Sequence, residues 1–408
     1  MKSKKLWINL SILNLCIVAF LGLLLRTKII FPLHIVNYNH LLDSHSHFAF
    51  GGWVTFTLIL LMVYELLPAS LYEKPIYQWI FGIIVIISWL LLFIYYFNGN
   101  GFLSRVFSTI FILITYVFGW IFIHDVQKSK PDNTILLLVI VSILSLILSS
   151  VGPFTLDYLF TTGSRNAILY RDALFTYLHL QYNGFFTLAV FALLFHRLQA
   201  GVTLKSKQNN YRFAVLLVIS ILPSLFLSYL WHDPNRFFRC IAIAGSFFIF
   251  FSLIWFLVAS PSLIRASKAL DPIVKYLLFL SMSAFILKML LQTFTILPIV
   301  GDAVFGNRPI IIGFLHLVFL GFTSLFILAY FAQERILNIN RRFTKLALIT
   351  FSLGVVLNEA ILMTQGLGNM FLKSSFLTPW LLWAISIFLF IGALLIAVAR
   401  IRFSTSSV

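Results

Sequence analysis

Three histidines lie in one short pattern that occurs three times in the chain. His47, His179 and His316 are each followed by Phe or Leu, any residue, Phe or Tyr, any residue, Gly, Phe or Trp, any residue, and Thr or Ser. The intervals are 132 residues (179 minus 47) and 137 residues (316 minus 179), which indicates a unit of nearly constant length present three times. Neutral imidazole is a common ligand of haem iron and copper. The pattern therefore predicts three equivalent histidines and a candidate metal site.

The residues around these histidines fit the same chemistry. Phe50 and Phe319 lie three positions after a histidine, within about 60° of it on a helix, and are predicted to pack on a macrocycle. His45 precedes His47 by two residues, so on a helix the two side chains point about 160° apart and could serve different sites. Asn183 is a candidate acceptor for the second nitrogen of a metal-binding histidine.

Other polar residues fall inside apolar segments. Lys288 and Gln292 are four residues apart and so share one helix face, and Glu359 lies in a later segment. Ionisable groups at membrane depth are costly and mark functional sites by default. We expect Lys288 to pair with Glu359 or to contact a haem propionate; a purely structural pair is the alternative.

Composition identifies the elements that must position these residues. Hydrophobic residues make up 61% of the chain and charged residues 10%, which excludes a soluble globular protein and predicts helices in a lipid bilayer. The net charge of +17 does not indicate nucleic-acid binding, because the basic residues are scattered between apolar runs.

Twelve apolar runs are long enough to span a bilayer at about 20 residues each. They cover about 6 to 25, 42 to 67, 76 to 97, 103 to 124, 134 to 152, 171 to 195, 211 to 230, 237 to 258, 274 to 297, 309 to 332, 344 to 364 and 378 to 400. Nineteen Lys and Arg flank the ends on the side of the termini and nine flank the other ends, with Lys288 within a segment, which accounts for all 29. This bias predicts cytoplasmic termini in a multi-pass, bacterial-type inner membrane protein.

The histidine patterns lie on segments 2, 6 and 10, all of which run in the same direction. At 1.5 Å per residue the three histidines lie about 8 to 12 Å below the outer boundary, in one layer. The fold predicted is a single all-α transmembrane domain over residues 1–408. Its internal repeats, roughly 6–124, 134–258 and 274–400, form three four-helix units with pseudo-threefold order.

Twelve helices with histidines on segments 2, 6 and 10 resemble subunit I of the haem-copper oxidase superfamily, including cbb-type oxidases and nitric oxide reductases, and the related NnrS family. His45-Ser46-His47 with Gly52-Trp53 is similar to that superfamily's His-x-His and Gly-Trp patterns. The resemblance covers the whole chain in topology but only short motifs in residues.

The resemblance implies a role for each motif histidine. His47, or else His45, matches the segment 2 ligand of a low-spin haem, His316 the segment 10 ligand of haem iron, and His179 the segment 6 ligand of copper. Two features depart from the family. Segment 7 lacks the family's pair of adjacent histidines that completes the copper site and has only His232 at its end, and segment 10 has one histidine where oxidases have two.

These observations predict a haem-binding protein, with copper as a second candidate cofactor, in electron transfer or respiratory or nitric oxide metabolism. If it is catalytic, it is an oxidoreductase. Without a large soluble domain, it needs a redox partner subunit or a cytochrome. One alternative is a transporter or proton channel, with the histidines, Lys288 and Glu359 forming the path. Another is a non-catalytic assembly or sensor subunit.

Overall fold

A computed structural model describes residues 2–198, 203–370 and 375–403. Within these ranges the chain is helical and without strands, and twelve helices are long and apolar enough to cross a membrane. This confirms an all-α, membrane-spanning fold. The helices are α1 Ser3–Ile30, α2 Tyr38–Leu66, α3 Pro75–Asn98, α4 Phe102–Ser129, α5 Asn133–Thr162, α6 Ala167–Leu198, α7 Leu204–His232, α8 Arg236–Ala269, α9 Pro272–Phe294, α10 Arg308–Gln333, α11 Arg342–Asn369 and α12 Leu377–Phe403. Short helices Ala69–Tyr72 and Pro298–Gly306 lie between spans.

Several helices begin before their apolar runs do, because polar residues cap their N-termini. The Asn37 side chain accepts hydrogen bonds from the backbone N–H groups of Asn39 and His40, so α2 begins at Tyr38. The Asn166 side chain accepts from the N–H of Leu169, and α6 begins directly after it. The helices thus extend into polar turns that a count of apolar residues does not detect.

α2 and α6 are the most deeply enclosed helices. In their most apolar 18-residue windows, 72% and 89% of the residues are buried, compared with 22% in α4 and 28% in α12. One continuous cluster of buried apolar side chains includes residues of all twelve helices. Two of the three helices that carry the repeated pattern therefore lie at the centre of the bundle.

Each motif histidine is followed at once by a π-helical segment. These segments are Phe48–Thr55 in α2, Leu180–Phe186 in α6 and Leu317–Ser324 in α10. π-helical turns are rare, and they occur frequently at functional sites. Their position one residue after each histidine shows that the repeated sequence pattern corresponds to a repeated backbone form.

A polar side chain from a neighbouring helix binds a carbonyl in each π-helical segment. Asn14 Nδ2 donates to the Gly52 carbonyl at 2.6 Å. Ser142 Oγ donates to the carbonyl of Phe185 and Ser281 Oγ to that of Phe322, at 3.0 and 2.7 Å. Because π-helical hydrogen bonding disturbs the regular ladder, such side-chain donors stabilise it.

The three motif helices meet through their aromatic residues. Phe50 lies 4.1 Å from Phe319, Phe186 lies 5.3 Å from Phe319, and Phe50 and Phe186 are 6.1 Å apart, measured between ring centroids. Trp53 Nε1 of α2 donates to Ser324 Oγ of α10 at 2.8 Å. α2, α6 and α10 therefore share one packed junction.

Candidate functional site

His179 is a fully hydrogen-bonded core residue. Its ring is completely buried, and Nε2 donates to the carbonyl oxygen of Ile221 at 2.9 Å, with Ser224 Oγ 3.3 Å away. Nδ1 accepts from Nδ2 of Asn183 at 3.1 Å. Asn183 was predicted to accept from a histidine N–H, but its amide donates to Nδ1 instead. Neither nitrogen is left to bind a metal.

The acceptor for His179 comes from an irregular part of α7. Pro223, which has no N–H, lies inside α7 two residues after Ile221, and the helix narrows to a 3-10 form over Phe226–His232. Carbonyls near such a distortion are available to side chains from other helices. α7 therefore offers His179 a hydrogen-bond acceptor at this point.

His47 and Phe50 pack against aromatic side chains. The His47 ring is exposed and stacks on Tyr95 of α3, with 4.1 Å between centroids and 14° between planes. Phe50 contacts Phe319 and lies 5.8 Å from Tyr177. Phe50 and Phe319, predicted to pack on a macrocycle, instead pack on each other because their helices meet at that point.

His45 and His47 face different neighbours, as their spacing predicts. A Cβ added to Gly22 of α1 would lie 3.3 Å from His45 Cε1, so His45 packs against α1 while His47 faces α3. His45 lies within electrostatic reach of His316 and Arg26. The histidine of α2 that approaches His316 is therefore His45.

Four ionisable side chains from four helices form what we call the Arg26 cluster. Its members are Arg26 of α1 and three residues within electrostatic reach of it, which are His45 of α2, His316 of α10 and Glu359 of α11. His316 Nδ1 donates to the carbonyl of Ile312 at 2.8 Å, which leaves Nε2 as the ring's acceptor or metal-binding atom. His45 Nδ1 is buried and has no partner in the described part of the chain.

Lys288 and Glu359 do not form the ion pair that the sequence suggested. Lys288 is completely buried, and Nζ approaches Thr187 Oγ1 of α6 at 3.5 Å. Glu359 Oε1 instead accepts from Nδ2 of Asn358 at 3.1 Å. Gln292, one turn from Lys288, is 7% exposed and its Oε1 has no partner among the described residues.

A cavity of about 480 Å³ lies between α6, α7, α9, α10 and α11. Its wall is almost wholly apolar and includes Phe314, Leu315 and Leu317, which flank His316 in sequence. Gln292 and Glu359 are among its few polar residues.

Sequence reasoning missed Arg26, the cavity and the π-helical form. Arg26 stands at the end of an apolar run, where it reads as a charge flanking the membrane. Gly22 and Arg26 are four residues apart and so share one face of α1, the face that Gly22 turns towards His45. This spacing is the signal that could have placed Arg26 on the side of α1 that faces α2.

The three motif histidines do not form a metal-binding group in the described residues. Within residues 2–198, 203–370 and 375–403, no group of three or more His, Cys, Asp or Glu side chains is arranged to hold a metal ion. A site held by only two side chains would not form such a group. Comparison with protein-family models and with curated protein sequences found no match to this chain.

Proposed function

We propose that this protein binds haem between His45 of α2 and His316 of α10 and acts in electron transfer within the membrane. Haem bound there would supply reversible one-electron chemistry at its iron. The observation that carries the proposal is that His45 and His316, from different helices, lie within electrostatic reach of each other, and each has a ring nitrogen without a hydrogen bond to the described part of the chain.

The donor set fits this group. The Nδ1 donation of His316 to a backbone carbonyl fixes its tautomer, which is the usual state of a metal-binding histidine. A buried nitrogen without a partner, as on His45, is costly in a protein interior, and iron ligation would give the ring a role. Arg26 would offset the charge of a haem propionate.

Copper is not part of the proposal. His179 holds the motif position that the family uses for copper, but its two nitrogens bind Ile221 and Asn183. α7 supplies no histidine beside it. His179 then stabilises the fold.

The setting is a multi-pass protein of a bacterial-type inner membrane, with both termini in the cytoplasm. The excess of Lys and Arg at the ends near the termini supports this orientation. Three four-helix units with pseudo-threefold order are supported by three π-helical segments at equivalent positions and by the contacts of α2, α6 and α10. A redox partner subunit or cytochrome would exchange electrons with the haem.

The test is an absorption spectrum of the detergent-purified protein, oxidised and dithionite-reduced, after expression with added haem precursor. We expect a Soret band with sharp reduced bands. His45→Ala and His316→Ala should each lower haem content per protein at least tenfold, since one of the two histidines that would hold the haem is lost. His47→Ala and His179→Ala are the matched controls and should retain the spectrum.

Two outcomes would overturn the proposal. One is a colourless protein under adequate haem supply, which would favour transport or a non-catalytic subunit role. The other is haem that survives His45→Ala and His316→Ala together but is lost in His47→Ala, which would move the ligand to the other side of α2.

A further inference from the structure

The cavity between α6, α7, α9, α10 and α11 has the size of a ligand site. Its volume of about 480 Å³ is roughly three times that of an engineered 150 Å³ protein cavity that binds benzene. Small-molecule sites commonly range from about 300 to 1,000 Å³ and are mostly apolar with few polar groups. This cavity has space for a ring and a substantial tail.

Aromatic side chains line part of the cavity. Tyr182 and Phe314 lie edge to face, with ring centroids 5.5 Å apart and planes at 73°. Phe175 and Phe305 form a second pair, 5.9 Å apart. Such walls favour a flat ring in offset or edge-to-face contact.

One buried polar atom in the wall lacks a partner. Gln292 lines the cavity, its residue is 7% exposed, and Oε1 makes no hydrogen bond in the described part of the chain. A buried acceptor without a donor is costly, and a ligand hydroxyl would supply that donor. A ligand with an O–H group would match this acceptor.

Apolar side chains at the cavity wall are also accessible. Leu291 of α9 is 36% exposed, and Met363 and Leu367 of α11 are 41% and 49% exposed. These residues belong to membrane-spanning helices, so a hydrocarbon tail can extend along them.

We propose that this cavity binds a lipid-soluble phenol or hydroquinone. Its ring lies among the aromatic side chains, its hydroxyl donates to Gln292 Oε1, and its alkyl tail runs along Leu291, Met363 and Leu367. The binding site does not depend on haem, so it can be tested whether or not the protein is coloured.

The probes are 4-decylphenol and decylbenzene, which differ only in the hydroxyl group. Equilibrium dialysis against purified protein in lipid nanodiscs, with empty nanodiscs subtracted, gives both affinities. We expect the phenol to bind about tenfold more tightly, because only it pairs with the amide oxygen. Gln292→Leu should remove this tenfold preference while leaving decylbenzene binding unchanged.

Gln181→Leu is the matched control. Gln181 is also buried, with an Oε1 that has no partner among the described residues, but it does not line the cavity, so the phenol preference should remain. Val304→Trp places a large side chain in the cavity and should weaken binding of both probes. Size-exclusion chromatography identifies any variant that fails to fold; Gln292→Met then replaces Gln292→Leu, and Leu287→Trp replaces Val304→Trp.

Three results would overturn the proposal. Equal binding of the two probes would mean that the cavity holds only a hydrocarbon chain, such as a lipid tail. An unchanged preference for the phenol in the Gln292 variants would show that the Gln292 amide does not contact the ligand. Unchanged binding of both probes in the cavity-filling variants would place binding elsewhere.

Discussion

The motifs of α6 and α10 share a π-helical backbone but differ in the hydrogen bonds of their histidines. His179 in α6 is completely buried, and both of its nitrogens have partners on the protein. His316 in α10 is partly exposed, uses one nitrogen on a carbonyl of its own helix, and lies within electrostatic reach of Arg26 and His45. The two motifs thus share one backbone form, whereas the neighbouring helices determine the hydrogen bonds of each histidine.

The difference comes from the facing helix. α7 presents the Ile221 carbonyl and the Ser224 hydroxyl to His179. α1 presents Gly22 to His45, and both Arg26 and His45 lie within electrostatic reach of His316. A repeated motif can therefore keep its backbone form at all three sites while the surroundings of its histidine differ.

The glycine of the motif gives the largest expected effect on stability. A Cβ at Gly184 would lie 2.3 Å from Ser145 Cβ, whereas one at Gly321 would lie 3.1 Å from Ala284 Cβ. Gly184→Ala should lower the free energy of unfolding by about 1–3 kcal/mol, because α5 must move, and Gly321→Ala by less than about 1 kcal/mol. Unfolding in mixed detergent–SDS micelles measures both. Equal losses would show that the two sites pack alike.

Replacing each histidine by Leu in the haem-free protein tests whether the hydrogen bonds of His179 stabilise the fold more than those of His316. His179→Leu leaves the Asn183 amide and the Ile221 carbonyl without this partner, so we expect a loss of about 1–3 kcal/mol. His316→Leu should lower the free energy of unfolding by less, because the hydrogen bond that it removes goes to the Ile312 carbonyl of the same helix, one turn away. The same SDS titration applies. A larger loss of unfolding free energy for His316→Leu than for His179→Leu would contradict this difference between the two sites.

A second substitution separates the hydrogen bond from the loss of the ring. Asn183→Leu alone should destabilise the protein, but added to His179→Leu it should cost less than the sum of the two single changes. Contacting residues are expected to be non-additive in this way. Full additivity would mean that the amide of Asn183 does not stabilise the imidazole.

Apolar length and the histidine repeat were sufficient to predict the twelve helices. Their ends were less predictable, because caps such as Asn166 extend α6 beyond its apolar run. The three histidines at equivalent backbone positions were also predictable, since a period near 135 residues is visible in the sequence. The π-helical segments were not, because they depend on donors from other helices such as Ser142 and Ser281.

The pairing of side chains across helices was the hardest part to predict. Lys288 and Glu359 carry opposite charge at membrane depth, yet Lys288 faces Thr187 and Glu359 faces Asn358. Helical spacing shows which residues share a face of one helix but not how far that face is rotated or raised relative to another helix. The prediction of two separate faces for His45 and His47 was right because it needed one helix only.

The last position of the motif, Thr187 in α6 and Ser324 in α10, gives the smallest expected effect on stability. It shows whether the two motifs also differ in their contacts with other helices. In α6, Thr187 Oγ1 donates to the Tyr182 carbonyl of its own helix at 2.5 Å. In α10, Ser324 Oγ accepts from Trp53 of α2. Hydrogen bonds between membrane helices couple by about 0.6 kcal/mol on average, because the unfolded chain in lipid also finds partners.

A double-mutant cycle measures this coupling. Ser324→Ala, Trp53→Phe and the double variant should give a coupling of about 0.6 kcal/mol, whereas Thr187→Val with Trp53→Phe should give none, because no hydrogen bond joins those two side chains. The SDS unfolding midpoints of the variants supply the four free energies of each cycle. A coupling at Thr187 as large as that at Ser324 would mean that α6 and α10 contact α2 through the same motif position. The two motifs would then differ only at their histidines and glycines.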